Sequence, residues 1–292
     1  MGSVGKIEQA RGLAGRLGRV VAGVPHNIGT GFSARHFSEE MFSGAMDPLL
    51  MVDHFIMTAP TFEPHLHAGI SAVTAMFEDS EGAFLNRDTL GHAIELKGGD
   101  LYWLAAASGA AHEEKPAPNS RIHALQLFVN LPERLKKCPA RSLHVSAGDV
   151  PIIAGDGHRV RVVLGASGDV TGETGTPEEM TMLDGFLAAG GRFSHELPEG
   201  RQAWIYAVSG TVTATLDGDG RVLAAGMATT IEAGLPASVA VEAAAPAHFV
   251  LMAGRPIRET FVKHGPLVMS TADDVRRTLA DFAGGKFGRI PA

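Results

Sequence analysis

The chain has only one cysteine, Cys138, among its 292 residues. A single cysteine cannot form an internal disulfide, so the sequence indicates a reducing compartment, and we expect a cytoplasmic protein. The chain also lacks any apolar run close to the roughly 18 residues that a membrane-spanning helix needs. Residues 1–18 lack the apolar core of a secretion signal. These absences argue against a membrane protein and a secreted protein.

Positive charge is scarce as well. The chain carries 25 Lys and Arg against 32 Asp and Glu, for a formal net charge of −7. Proteins that bind the phosphate backbone usually present a basic face, so we expect no direct nucleic-acid partner. Hydrophobic residues at 45% and charged residues at 20% indicate a globular protein rather than a disordered one.

Glycine and proline are plentiful, with 36 and 16 residues. They favour many turns and short strands over long helices. Strand-like segments recur every eight to twelve residues or so, with turns such as Asp79–Gly82 (a predicted hairpin) between them, which predicts an all-β sandwich or small barrel. The predicted strand regions are 45–57, 71–77, 92–96, 101–105 and 121–131 in the first half, and 160–164, 203–216 and 247–252 in the second. The halves predict an N-terminal domain at 1–145 and a C-terminal domain at 146–292.

Two short segments contain pairs of metal-ligand residue types at a spacing of two. His65 and His67 flank Leu66, and His112 and Glu114 flank Glu113. Side chains at i and i+2 of a strand point to the same face, so each pair faces one way if its segment is extended. Two such strands facing the inside of a barrel deliver three imidazoles and one carboxylate to one point. That donor set suits a first-row transition metal better than calcium or magnesium.

Other polar residues of the predicted strands are interpreted as structural. Asp53 and His54 lie inside the strand at 45–57, where backbone groups near a strand end can satisfy them. His195 and His248 have no partner at a spacing of two and are read as structural or surface histidines. The second half therefore repeats the strand pattern of the first half without its ligands.

The two ends of the chain carry local signals of their own. Ile7, Leu13, Leu17 and Val20 are compatible with a short amphipathic helix or an irregular strand, and the first 40 residues either complete the first barrel or reach the second. Near the other end, Thr271 to Asp274 resembles a capping box. The residues Val275, Leu279 and Phe282 form one apolar face of a short docking helix that ends at Gly284-Gly285.

Several segments resemble the pirin family of the cupin superfamily, in order and in spacing. They cover roughly residues 45 to 289. The matching segments are Asp47–Phe55, Pro64–His67, Arg87–Gly91, Gly99–Trp103, the His112/Glu114 pair, His123–Pro132, Gly254–Glu259, Gly265–Ser270 and the closing helix.

This resemblance implies a bicupin, with two tandem jelly-roll-like β-barrels and a short C-terminal helix, of which only the N-terminal barrel holds a metal. It implies that His65, His67, His112 and Glu114 are the ligands, usually of iron, here expected as Fe(II). The resemblance also implies a quercetin 2,3-dioxygenase-like enzyme that acts on a flavonol or a related enediol, with Glu114 as the catalytic base. The alternative that it implies is an iron-containing, redox-responsive regulator that binds a protein partner without catalysis. A storage or scaffold bicupin is a third interpretation.

The sequence departs from the family pattern next to the ligands. The family usually has Arg-Gly-Phe-Glu after the second histidine, whereas this chain has Ala68-Gly69-Ile70-Ser71. Asn86 replaces the usual histidine before Arg87-Asp88, and Ala110-Ala111 stands where a glycine is expected, with Gly109 one step earlier. The lost Arg and Glu line the mouth and surroundings of the site in relatives, so we expect a substrate different from the family average.

Overall fold

The computed structural model describes residues 16–232 and 234–291. Within them the chain is mostly β-strand, with two α-helices and two 3-10 turns. The elements of the first half are β1 (Arg16–Leu17), β2 (Val21–Ala22), β3 (Val24–Ile28), β4 (Phe32–Ser38), the 3-10 turn Glu39–Phe42, β5 (Leu49–Met57), β6 (His65–His67), β7 (Ile70–Met76), β8 (Phe84–Asp88), β9 (Ala93–Leu96), β10 (Leu101–Ala105), β11 (Ala110–Pro116), β12 (Ile122–Asn130), α1 (Glu133–Lys136) and β13 (Arg141–Val145).

The second half repeats this plan and ends in a longer helix. Its elements are the 3-10 turn Ala147–Asp149, β14 (Ile152–Gly155), β15 (His158–Leu164), β16 (Ala166–Ser167), β17 (Val170–Thr171), β18 (Met180–Leu187), β19 (Arg192–Leu197), β20 (Gln202–Ser209), β21 (Thr211–Leu216), β22 (Asp219–Ala224), β23 (Met227–Glu232), β24 (Ala237–Glu242), β25 (Ala247–Gly254), β26 (Val262–His264), β27 (Leu267–Met269) and α2 (Ala272–Ala283).

Each half forms two sheets that enclose an interior. In the first domain the larger sheet has the order β13-β10-β7-β12-β5-β4-β3 and the smaller has the order β6-β11-β8-β9. Phe55, Met76 and Phe84 are among the side chains buried between them. In the second domain the corresponding sheets are β23-β20-β25-β18-β15-β14 and β19-β24-β21-β22. Leu183 and Ile205 belong to the buried cluster between these sheets.

The two larger sheets pack face to face and join the domains. Trp103 and Leu127 of the first sheet share one buried cluster with Trp204, Tyr206 and Met252 of the second. Full burial of a large apolar side chain stabilises the folded state by roughly 1.5–3 kcal/mol. The apolar interface between the two larger sheets therefore contributes to stability as a core of its own. With two sheets in each domain, the molecule has four layers of sheet.

Both ends of the described chain cross to the opposite domain. β1 and β2 pair with β23, so residues 16–22 reach the second domain, which is one of the two roles predicted for the N-terminal segment. The predicted helix or strand over the first 18 residues lies mostly outside the described residues, and Arg16 and Leu17 within it form β1. The C-terminal arm, defined here as residues 262–291, returns to the first domain, where Leu267 bridges Ala68.

The all-β prediction with a short C-terminal helix is confirmed, and Thr271 caps α2 by accepting a hydrogen bond from the Asp274 backbone N–H at 3.1 Å. The predicted docking face of α2 is wrong in part. Val275 is buried, but Leu279 and Phe282 are 38% and 42% exposed, since the buried face runs through Val275 and Thr278.

The predicted hairpin at Asp79–Gly82 is also wrong, because β7 and β8 belong to different sheets. The boundary between residues 145 and 146 stays a prediction.

Candidate metal centre

Three imidazoles meet on neighbouring strands of the smaller sheet in the first domain. β6 and β11 are antiparallel, with His112 directly opposite His65 and Ala110 opposite His67. The period-two pleat turns all three rings to the interior, while Leu66 packs on the outer side with Leu267 of the C-terminal arm. The i, i+2 spacing and this register together produce the cluster.

The three rings lie close enough together that they could hold one metal ion. Their centroids are 4.8–4.9 Å apart, and their candidate ligand atoms all lie within 4.8 Å of one another. His67 is fully buried and His112 is 2% exposed. Among residues 16–232 and 234–291, this is the one group of three such side chains close enough to share a metal ion.

The orientation of the rings fits a transition metal. The Nδ1–H of His65 donates to the Glu63 carbonyl at 2.8 Å, which leaves its Nε2 free. The Nε2 atoms of His67 and His112 lie 3.0 Å apart. Two nitrogen ligands at about 2.1 Å from a metal and at a right angle to each other are about 3 Å apart, so this spacing suits coordination.

Burial keeps these imidazoles in the form that binds metals. It lowers the pKa of His112 to about 3, with the neighbouring His65 ring acting in the same direction. Burial also lowers the pKa of His67 well below its usual value, helped by His112 and His65, while the Pro266 carbonyl acts the other way. Both rings are therefore neutral at pH 7, with a nitrogen lone pair available.

Glu114 faces the same interior but is not part of the three-residue cluster. Its Oε1 accepts a hydrogen bond from the Thr74 hydroxyl at 2.6 Å, and its side chain lines the same cavity as the three histidines. Burial raises the pKa of Glu114 to about 7, although the Thr74 bond opposes the shift. Glu113 points outward, as the i, i+2 argument predicts, and pairs with Arg87 and Lys115.

The cavity beside the histidines is small and mostly apolar. Its volume is about 150 Å³. The side chains that line it are Phe32, Met51, Asp53, Phe55, Met57, Phe62, His65, His67, Phe84, His112, Glu114, Gln126 and Phe128. Phe128 also makes an edge-to-face contact with His67 at a centroid distance of 5.1 Å. The site thus combines a few polar groups with an aromatic wall, as small-molecule sites usually do.

The sequence analysis interpreted Asp53 and His54 as structural residues, and for Asp53 this interpretation missed part of the site. Asp53 lines the cavity and accepts a hydrogen bond from the His36 ring at 2.7 Å, whereas His54 points to the domain interface and contacts the Tyr206 hydroxyl at 2.5 Å. The alternation along β5 carries the signal, because Asp53 shares its face with Phe55. Sequence reasoning also missed Thr74 and Gln126, because neither has a second ligand-type residue at a spacing of two.

The departures from the family pattern lie outside the wall of the cavity. Ala68 is fully buried in an apolar cluster with residues of the C-terminal arm. Ser71 shares a strand face with Val73, which packs in the domain interface. Asn86 lies opposite Glu114 across β8 and β11, and it is fully buried with both amide atoms unpaired among the described residues.

Comparison with known proteins decides the family. The family model described as Pirin matches residues 24–129, and the model described as Pirin C-terminal cupin domain matches residues 182–288. The chain belongs to the pirin family. It is 32% identical to human pirin over 246 residues, which cover 83% of each chain. The two predicted cupin domains are confirmed by these matches.

Solved structures share this fold. A quercetin 2,3-dioxygenase from Acinetobacter baumannii superposes with a TM-score of 0.82 at 26% identity, covering 94% of this chain and 99% of its own. A bacterial pirin from Escherichia coli in complex with nickel(II) gives 0.63 at 19% identity, covering 83% and 99%. In the described part of this pirin, no helix is long and apolar enough to cross a membrane.

Proposed function

We propose that this pirin is a metal-dependent dioxygenase that acts on a flavonol or a related enediol. The observation that carries the proposal is the cluster of His65, His67 and His112 beside the buried carboxyl of Glu114, all in one aromatic-lined cavity. The Acinetobacter quercetin 2,3-dioxygenase, which has the same fold over nearly the whole chain, supports the reaction class.

The donor set supports one first-row transition metal, with Fe(II) as the expected ion. Three imidazole nitrogens and one carboxylate oxygen suit iron, manganese, nickel or copper, and leave open positions on a six-coordinate ion. The nickel in the Escherichia coli pirin supports a metal of this class. When bound, the ion would lower the pKa of a coordinated substrate hydroxyl.

The side chains around the cluster divide the remaining work. A carboxyl whose pKa is raised to about 7 is suited to accept the hydroxyl proton near neutral pH, and Thr74 fixes one of the oxygens of Glu114. The rings of Phe55, Phe84 and Phe128 pack against the substrate and exclude water. Dioxygen then adds to the enediolate, both of its atoms enter the product, and the ring opens.

Cavity size favours a compact enediol over a flavonol. A volume of about 150 Å³ matches that of a cavity that holds one benzene ring. The enediol of a flavonol lies between its ring systems, so at least one ring must extend beyond this volume, past Phe62 at the mouth. A one-ring diol such as catechol has both hydroxyls at its edge and fits inside.

Oxygen uptake with metal-loaded protein tests the proposal. The protein is reconstituted anaerobically with Fe(II) and, separately, with nickel(II) and manganese(II), and offered quercetin, smaller flavonols and catechol. We expect uptake that depends on the metal and is lost in Glu114→Gln and His67→Ala. If the protein binds one equivalent of metal but consumes no oxygen with any enediol, the proposed enzymatic function is wrong. The non-catalytic, redox-responsive regulator would then be the remaining interpretation.

A further inference from the structure

Lys136, at the end of α1, is a buried lysine that is bound only by neutral oxygens. Its side chain is 1% exposed. The ammonium donates three hydrogen bonds, to the Gly69 carbonyl at 2.7 Å, the Asn130 side-chain oxygen at 2.6 Å and the Val268 carbonyl at 2.8 Å. Lys136 forms no salt bridge within 4.0 Å among residues 16–232 and 234–291, although the more distant Glu259 carboxylate attracts it. All three donors of the ammonium are therefore used to join three separate segments.

Two of these segments meet directly behind a candidate ligand. Gly69 follows His67 by two residues and has a φ of +73°. A Cβ at this position would lie 1.8 Å from the Val268 carbonyl oxygen, so the close approach of the C-terminal arm requires glycine. The Val268 N–H also donates to the Ala68 carbonyl at 2.9 Å. The arm is thus hydrogen-bonded directly to Ala68, and it is joined to Gly69 through the shared Lys136 ammonium.

The arm also touches the second ligand strand. Phe287 lies against Gly109, where a Cβ would be 2.5 Å from the phenyl ring. Gly109 comes three residues before His112. On the outer face of β6, Leu267, Met269 and Val275 form one buried cluster with Leu66 and Ala68. The arm therefore supports β6 and the start of β11 from behind, on the side opposite the cavity.

We propose that Lys136 is a positioning residue for the metal site: its ammonium fixes the C-terminal arm to the turn behind His67, and the arm in turn holds the ligand strand. This inference rests on the proposed metal site. Outer groups that orient metal ligands usually contribute about 10- to 100-fold to metal affinity. Loss of the ammonium removes this donor from the Asn130 and Val268 oxygens and leaves the Gly69 carbonyl with only the 3.3 Å hydrogen bond from the Leu131 N–H. It also removes the link between the arm and Gly69.

The test compares Lys136→Met, which keeps the length of the side chain, with Lys97→Met, which removes an exposed lysine in a turn. Each protein is loaded with cobalt(II), and three quantities are measured: the rate of cobalt release to a chelator, the ligand-field absorption bands, and hydrogen exchange of residues 262–269. For Lys136→Met we expect release at least about tenfold faster, shifted bands and faster exchange. Lys97→Met should match the wild type.

A purely structural lysine would lower the melting temperature without moving the cobalt bands of the folded protein. Wild-type bands and a wild-type release rate in folded Lys136→Met would overturn the role of Lys136 alone. Absence of stoichiometric metal from the wild type would overturn the proposed function and this role with it. If Lys136→Met does not fold, Asn130→Ala decides. It keeps the ammonium and removes one acceptor, so we expect a smaller acceleration, and a wild-type rate would overturn the proposal.

Discussion

The two domains share one strand order and differ in what their equivalent strands carry. In the order of the sheets, β19 and β24 occupy the places of β6 and β11. His65 faces His112 across the first pair, whereas Phe193 faces Val241 across the second. His195 of β19 is opposite Val239, a residue without a ligand atom. One architecture thus holds a three-imidazole cluster in one copy and apolar packing in the other.

The buried polar groups of the two domains do different jobs as well. In the first domain Glu114 is buried beside the histidines and has no cationic side chain as a partner among the described residues, and burial raises its pKa. In the second domain Asp184 lies between Arg161, at 2.9 Å, and His248, at 2.5 Å. Burial alone would raise the pKa of Asp184, but its hydrogen bond and attraction to His248 and to Arg161 lower it. Neighbouring side chains therefore stabilise the buried carboxylate of Asp184 in the second domain. The proposed metal ion would stabilise the carboxylate of Glu114 in the first domain.

The largest effect that we expect is the loss of metal from one domain only. His67→Ala removes a fully buried candidate ligand, so bound metal should fall from one equivalent to near zero, as measured by elemental analysis. The matched control is His195→Ala, which removes a buried histidine on the equivalent strand and should keep the metal. Equal metal content in the two variants would break the distinction between the domains.

Asp184→Asn should cost about 3 kcal/mol of unfolding free energy, because it removes the buried carboxylate that pairs with Arg161 and leaves only the half-exposed Glu78 as its ion-pair partner. Chemical denaturation measures this loss, which should be the same with and without added metal. The pKa of Asp184 is depressed, so its contribution is present above the unfolded pKa of about 3.8 and is lost as the pH falls through the folded value. The stability difference between wild type and variant should therefore shrink in acid. A loss that disappears on metal loading would contradict the metal-independent role of Asp184.

Glu114→Gln should change how the stability of the metal-free protein depends on pH. The folded pKa is about 7 against an ordinary value of 4.5, so the wild type is penalised as the pH rises through this range, by about 3 kcal/mol in all. The variant does not titrate here, and the difference between the two proteins isolates the carboxyl from the histidines. Denaturation at pH 4.5 and pH 7.5 measures it. If Glu114 is a ligand, a bound ion keeps its carboxylate ionised. Saturating nickel(II) should then abolish the difference in pH dependence between the wild type and Glu114→Gln.

The smallest effects come from a matched pair of hydroxyl deletions. Thr74→Val removes the hydrogen bond to Glu114, and Ser167→Ala removes the 3.0 Å contact with the His195 ring. We expect Thr74→Val to weaken metal binding by about tenfold in a competition titration. Ser167→Ala should cost about 1 kcal/mol of stability and leave metal binding unchanged. Weaker metal binding in both variants would show that the domains are coupled.

Sequence reasoning located the ligand candidates because their signal is local. The spacing of His65 and His67 and the period of a strand are enough to put both side chains on one face, and the outward direction of Glu113 followed from the same rule. The turn at Asp79–Gly82 carried no comparable signal, since a turn sequence does not specify which sheet receives the next strand. The predicted burial of Leu279 and Phe282 was wrong for a related reason. Helical periodicity identifies an apolar face of a helix, but the surface against which the helix packs decides how much of that face is buried.

The sequence by itself determined the all-β class, the two strand-rich halves, the family and the pairs of metal-ligand residue types. These depend on residue composition, on local spacing and on motifs in order. Only the tertiary structure decided that β6 and β11 are neighbours in register, that Thr74 and Asp53 face the candidate site, and that Lys136 meets the C-terminal arm behind His67. Each of these contacts joins residues far apart in the chain, and the packing of the sheets selects them, not any pattern within a short segment.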